Sequence, residues 1–89
     1  MYSLAIRPNL EKLLKKLAKK SRSEAESIMK KTEEILENPH HYKNLRAPLN
    51  RWKRVHIHGS FVLVYSIDEK TKTVILETYK HHDEVYKSS

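Results

Sequence analysis

The sequence predicts an α+β fold: a two-helix hairpin packed on an antiparallel sheet, in the order β-α-α-β-β-β. Three observations carry that expectation. Two stretches between residues 10 and 36 repeat apolar side chains at helical spacing. Three stretches between residues 53 and 79 are rich in β-branched and aromatic residues and read as strands. The breaks between those strands are too short for crossover helices, which favours a meander.

The elements follow in order. "YSLAIR" alternates Tyr2, Leu4 and Ile6, the period of a half-buried strand, and Pro8-Asn9 breaks it. Asn9 is the expected cap of the first helix. There Leu10, Leu13, Leu14, Leu17 and Ala18 form an apolar stripe, with Lys12, Lys15, Lys16, Lys19 and Lys20 around it. Ser23 and Glu26 have capping-box spacing for a second helix, whose apolar positions are Ala25, Ile28, Met29, Ile35 and Leu36. Asn38-Pro39 ends it. "KRVHIH" sets Val55 and Ile57 against Arg54, His56 and His58 on the opposite face. Gly59, the one glycine, turns the chain with Ser60 into "FVLVYSI", a continuous apolar run expected of a central strand. "DEKTK" turns it again into "TVILETY". With no repeat, low-complexity segment or linker, residues 1–89 read as one domain.

Composition narrows the function classes. The chain has no cysteine, which excludes disulfides and thiolate metal sites and agrees with a reducing cytoplasm. No apolar run approaches the roughly 20 residues of a membrane span, and the first residues do not read as a secretory leader. Eighteen Lys and Arg stand against eleven Asp and Glu, a formal net charge of +7. From Asn38 to Ile67 there is no acid at all, while Lys43, Arg46, Arg51, Lys53, Arg54 and four histidines fall there. That distribution points to a polyanion or a strongly acidic partner. The lysines from Lys12 to Lys20 with Arg22 read equally as a solvated helix face or as phosphate contacts.

The closing "TYKHHDEVYKSS" is the densest collection of reactive side chains. If the last strand lies beside "FVLVYSI", its end delivers Lys80, His81, His82 and Tyr86 close to Arg54 and His56. RNA can be cut without a metal because its 2′-OH attacks the neighbouring phosphate. That reaction needs a base for the 2′-OH, an acid for the departing 5′-oxygen and cations for the phosphate. Histidine suits both proton roles near neutral pH, and arginine and lysine the third. The same residues, with Trp52, would also serve passive RNA binding. Phe61 and Tyr65 read as core, and Trp52 stays open between core and stacking platform. His56, His58, His81, His82 and Asp83 offer zinc-type ligands, yet no ligand motif such as HExxH is present, and the expectation is no functional metal.

The order of elements, the hairpin "WKRVHIHGSFVLVYSIDEK" and the "HHDEVY" close together resemble the RelE/ParE toxin superfamily of type II toxin–antitoxin systems. The resemblance spans essentially the whole chain and is most specific at "HGSFVLVYSID" and "HDEVY". It implies an mRNA interferase, a ribosome-dependent endonuclease without a small-molecule cofactor. Its implied partners are the ribosome, mRNA and a cognate acidic, RelB-like antitoxin. Lys53 stands for one of the lysines of RelE proper, but the position of a RelE arginine is Val62 here. The histidines look closer to the YafQ-type branch: His56 fits the one on the first hairpin strand, and His82, four before Tyr86, fits the one near the C-terminus. The acidic residue expected before the next strand is Ser60, which leaves the general base open between Asp83 and His56.

The resulting assignment makes His82 general acid or base and His56 its counterpart or a phosphate-orienting group. Arg54, Lys53 and Lys80 stabilise the phosphate, and Tyr86 stacks or orients. Arg51, Trp52, Lys43, Arg46 and His81 are the expected further RNA contacts. The alternatives are a ParE-like gyrase inhibitor and a non-catalytic RNA-binding module.

Overall fold

A computed structural model of the chain describes residues 1–47 and 51–87, with Tyr86 and Lys87 described by their backbone alone. The elements are β1 (Ser3–Ile6), α1 (Pro8–Lys20), α2 (Arg22–Glu37), β2 (Lys53–His58), β3 (Phe61–Asp68), β4 (Thr73–His81) and α3 (His82–Lys87). The expected order is present, with a short helix added after the last strand. Sheet order is β1-β4-β3-β2. β2, β3 and β4 form the antiparallel meander, but β1 joins β4 in parallel, so the sheet is mixed rather than wholly antiparallel. The helical hairpin supplies the long connection that a parallel partner needs. Residue pattern locates strands without saying which edge each one joins.

The helix ends depart from expectation in register. Pro8 takes the first helical position of α1, where its missing N–H costs nothing, so Arg7 rather than Asn9 is the N-cap. Ser21 closes α1 and opens α2: its N–H donates to the Leu17 carbonyl at 2.8 Å, and its Oγ accepts from the Glu24 N–H at 3.4 Å. Ser23 therefore lies inside the first turn of α2 instead of capping it. A single residue thus joins the two helices.

The helix-side core joins Leu10, Ile28 and Ile35 to Val55, Leu63, Tyr65, Val74, Leu76 and Tyr79. Thr32 completes the buried stripe of α2 by donating its hydroxyl to the Ile28 carbonyl at 2.7 Å. The stripes are narrower than their apolar residues suggest, because Leu13 and Met29 face outward at 43% and 66% exposure. β3 is the central strand its continuous run implies, with Val62 through Tyr65 at most 1% exposed. Tyr65 buries its ring there and donates its hydroxyl to the Pro39 carbonyl at 2.5 Å, and burial pushes this phenol well above its ordinary pKa. A second, smaller core of Leu45, Val62, Val64 and Val85, with Trp52 against it, occupies the other face of the sheet. Among the described residues no helix is long and apolar enough to cross a membrane.

Candidate nucleic-acid site

Strand register decides which side chains share the face away from α1 and α2. Arg54 pairs with Val64, which pairs with Thr78; His56 pairs with Val62, which pairs with Lys80. Directly opposed residues project to the same side, so Arg54, His56 and Lys80 stand on the face that carries the smaller core. Strands lie about 4.8 Å apart, so the backbones of His56 and Lys80, on either side of Val62, are about 10 Å apart. The face is not bare. Leu45, Trp52 and Val85 cover its centre, and the polar groups form a rim around that apolar plug.

Two strand irregularities reshape the rim. In β2 a bulge at Ile57 shifts register, so His58 pairs with Phe61 and leaves the face of Arg54 and His56. His58, Phe61 and His81 form a row on the opposite face instead. In β4 the register shifts at Glu77. Its carboxylate accepts from Arg7 at 2.8 and 3.2 Å and from the Ser66 hydroxyl at 2.6 Å. Burial works to raise the Glu77 pKa, but Arg7, Ser66 and the positive charge of Arg51 outweigh it and hold the carboxyl below its usual range. β1 pairs only as far as Leu76, so residues 77–81 of β4 have no strand on their outer side among the described residues.

Residues 81–85 form a packed joint between β4 and α3. His82 follows the last residue of β4, and its N–H donates to the Ser60 carbonyl at 2.7 Å. The chain then turns into α3, whose Val85 buries itself against the smaller core on the face of Arg54 and His56. His82 Nδ1 lies 3.1 Å from the Asp83 carboxylate, and His81 Nδ1 lies 3.6 Å from the other oxygen of the same group. The two imidazoles stack with centroids 4.7 Å apart. Behind them is a chain of aromatic contacts. His81 meets the edge of Phe61, Phe61 stacks on Tyr79 at 5.4 Å, and Tyr79 donates its hydroxyl to Glu24 in the first turn of α2. Burial first, and then the Glu24 carboxylate, raise the Tyr79 pKa well above its ordinary value. The orientation of His81 and His82 is thus braced from the helical hairpin.

A family model described as the ParE toxin of type II toxin–antitoxin systems matches residues 2–86. The chain belongs to the RelE/ParE toxin superfamily. A Methanocaldococcus jannaschii protein named as a candidate toxin, RelE4, is 56% identical over 87 residues, covering 98% of this chain and 93% of the relative. The isolated E. coli RelE toxin superposes with a TM-score of 0.78 at 23% identity, over 99% of this chain and 94% of that one. The intact E. coli RelBE toxin–antitoxin complex also reaches 0.78, at 22% identity over 91% and 96%. These two solved structures share the fold.

In this RelE/ParE-family chain two groups of the expected site residues come together and the others stand apart. Arg54, His56 and Lys80 form the rim, and His81 and His82 sit at the β4–α3 joint. Lys53 belongs to neither. It alternates to the other face, where its ammonium donates to the Tyr42 carbonyl at 3.0 Å and to Asn44 Oδ1 at 2.6 Å, so it anchors the approaching loop. Trp52 is half-buried against the plug and acts as core. Lys43, Arg46 and Arg51 are exposed on the loop around it. The side chain of Tyr86 lies outside the described residues. Phe61, expected in the core, is 39% exposed beside His81 and lines a groove with Leu13, Lys80 and Glu84. Its place at the start of β3, next to the turn, is the sequence signal that could have marked it as surface.

Proposed function

We propose that this toxin-family chain is a ribosome-dependent mRNA endonuclease that cleaves by metal-independent attack of the RNA 2′-OH. The observation that carries this reading is the pairing of His82 Nδ1 with the Asp83 carboxylate at 3.1 Å. A carboxylate accepting from Nδ1–H leaves Nε2 as the basic nitrogen, and it stabilises the imidazolium once Nε2 has taken a proton. His82 is the residue assigned to move a proton at Nε2. His56 is its counterpart on the rim, orienting the phosphate or handling the second proton. As the 2′-oxygen bonds to phosphorus and the 5′-oxygen leaves, the phosphate gains charge, which Arg54 and Lys80 offset. The products are a 2′,3′-cyclic phosphate and a 5′-hydroxyl. Lys53, turned away into its loop contacts, has no part in this assignment.

A cognate acidic antitoxin is the proposed protein partner, and the ribosome and mRNA the proposed targets, in the cytoplasm. The net charge of +7 favours all three electrostatically, and one matching structure is a toxin–antitoxin complex. A second reading, a ParE-like inhibitor of gyrase, draws on the name of the matching family model. It requires neither His56 nor His82. Primer extension on an mRNA in a translation extract separates the two, with the same RNA lacking ribosomes as control. Wild type should give ribosome-dependent cuts, and His82→Ala should lower cleavage about 10²–10⁴-fold while circular dichroism remains native. Wild-type cutting by the variant would remove His82 from the site, and no cutting by folded wild type would favour the gyrase reading.

A further inference from the structure

Three consecutive ligand-type side chains meet at the β4–α3 joint, and their geometry suits more than proton transfer. We propose that His81, His82 and Asp83 form a zinc-binding site and that zinc bound there inhibits the chain's RNA cleavage. The inhibitory half rests on the endonuclease reading above; the site itself does not.

The geometry is close to what a tetrahedral ion requires. Zinc takes imidazole nitrogen at about 2.0–2.1 Å and carboxylate oxygen at about 2.0–2.2 Å, so ligand atoms of one site lie about 3.3 Å apart. Here Nδ1 of His82 is 3.1 Å from one Asp83 oxygen, and Nδ1 of His81 is 3.6 Å from the other. One ligand atom from each residue falls within 4.8 Å of the rest, so modest ring rotation closes the set. Both rings are already held, His81 by the Phe61 edge and His82 by stacking on His81. The Asp83 N–H, which now donates to His81 Nδ1 at 3.2 Å, would release that nitrogen to the ion. Side-chain exposures of 37%, 37% and 63% leave an entry path and a fourth position for water. Two nitrogens and one oxygen favour zinc over magnesium or calcium, which prefer oxygen throughout.

Inhibition follows from where the ion sits. With Nδ1 of His82 bound to zinc and Asp83 drawn into the ligand set, His82 loses its orienting carboxylate.

Calorimetric titration of zinc chloride into the chelator-stripped full chain tests the site. Wild type, His81→Ala, Asp83→Asn and a His40→Ala/His41→Ala control are compared. One equivalent should bind wild type and the control alike, and each of the other two variants should weaken binding at least about tenfold. Binding indifferent to both variants, or lost in the control, would overturn the site. The second arm compares cleavage with and without zinc. The ratio should fall at least about tenfold in wild type and stay near one in Asp83→Asn for whatever activity that variant retains. Zinc binding as expected with an unchanged wild-type ratio would overturn the inhibition alone. Absence of any cleavage by metal-free wild type would sink the endonuclease reading and inhibition with it, leaving the titration to decide the site.

Discussion

Tyr79 links stability to the candidate site through one hydroxyl. Its ring is 5% exposed beneath Phe61, and its OH donates to Glu24 from a strand 55 residues later in the chain. Hydrogen bonds to charged groups contribute about 1.5–3 kcal/mol, and a partly buried carboxylate that loses its donor costs more than a neutral group. Tyr79→Phe keeps the ring stack and removes only the donor, so the expected loss is about 1–3 kcal/mol. Urea denaturation should show a lower midpoint with an unchanged slope; an unchanged midpoint would mean that the hydroxyl contributes nothing. Single residues were legible in the sequence where their partners are near. Alternation places Arg54 and His56 on one face, as found; the same alternation puts Lys53 on the other, which its assignment to the phosphate overlooked. Glu24 as the partner of Tyr79 had no local signal, since nothing in "TVILETY" points to a carboxylate on the second helix.

At the scale of elements, the sheet divides the chain between two cores of unequal weight. The helix-side core was readable from periodicity, because 3.6- and 2-residue patterns mark the residues it collects. The smaller core was not. It draws Leu45 from a connection, Val85 from a six-residue helix and two valines from a run apolar on both faces, and none of these has a period to detect. α3 itself was hidden for the same reason: six residues hold less than two turns, and among its described side chains Val85 is the one in a core. Its docking also fixes the strand-to-helix turn that presents His82. Val85→Ala removes two buried methyl groups, worth about 1–2 kcal/mol. Hydrogen exchange should accelerate in residues 82–87 and around Leu45, with α1 and α2 unchanged, and cleavage should fall with the protection. Uniform acceleration over the whole chain would show that α3 opens only with global unfolding. The β2 bulge limited legibility in the same way. Strict alternation carries His58 to the face of His56, and one extra residue at Ile57 reverses that.

The whole molecule is tied together at the end away from the site by Glu69, which gathers three separate parts of the chain. Tyr2 donates to it at 2.9 Å from just before β1, Lys72 at 2.9 Å from its own turn, and His40 Nε2 lies 3.0 Å away on the connection after α2. The Lys72 ammonium first, then the Tyr2 hydroxyl and His40, lower the Glu69 pKa to about 2 from 4.5. A carboxylate whose pKa falls on folding contributes stability that is fully present above the unfolded value. That stability is lost as pH drops from about 4.5 towards 2. The loss coincides with a global charge problem, because neutralising eleven acids leaves eighteen Lys and Arg and six histidines to repel one another. Thermal melts of wild type should therefore decline through that window, and those of Glu69→Gln should start lower at pH 7 and decline less steeply between pH 4.5 and 2. Half of the Glu69 side chain is solvent-exposed, so added salt should narrow the difference between the two proteins at pH 7. Parallel curves for wild type and variant across the window would show that the acid response comes from net charge alone, with Glu69 no more than a surface residue.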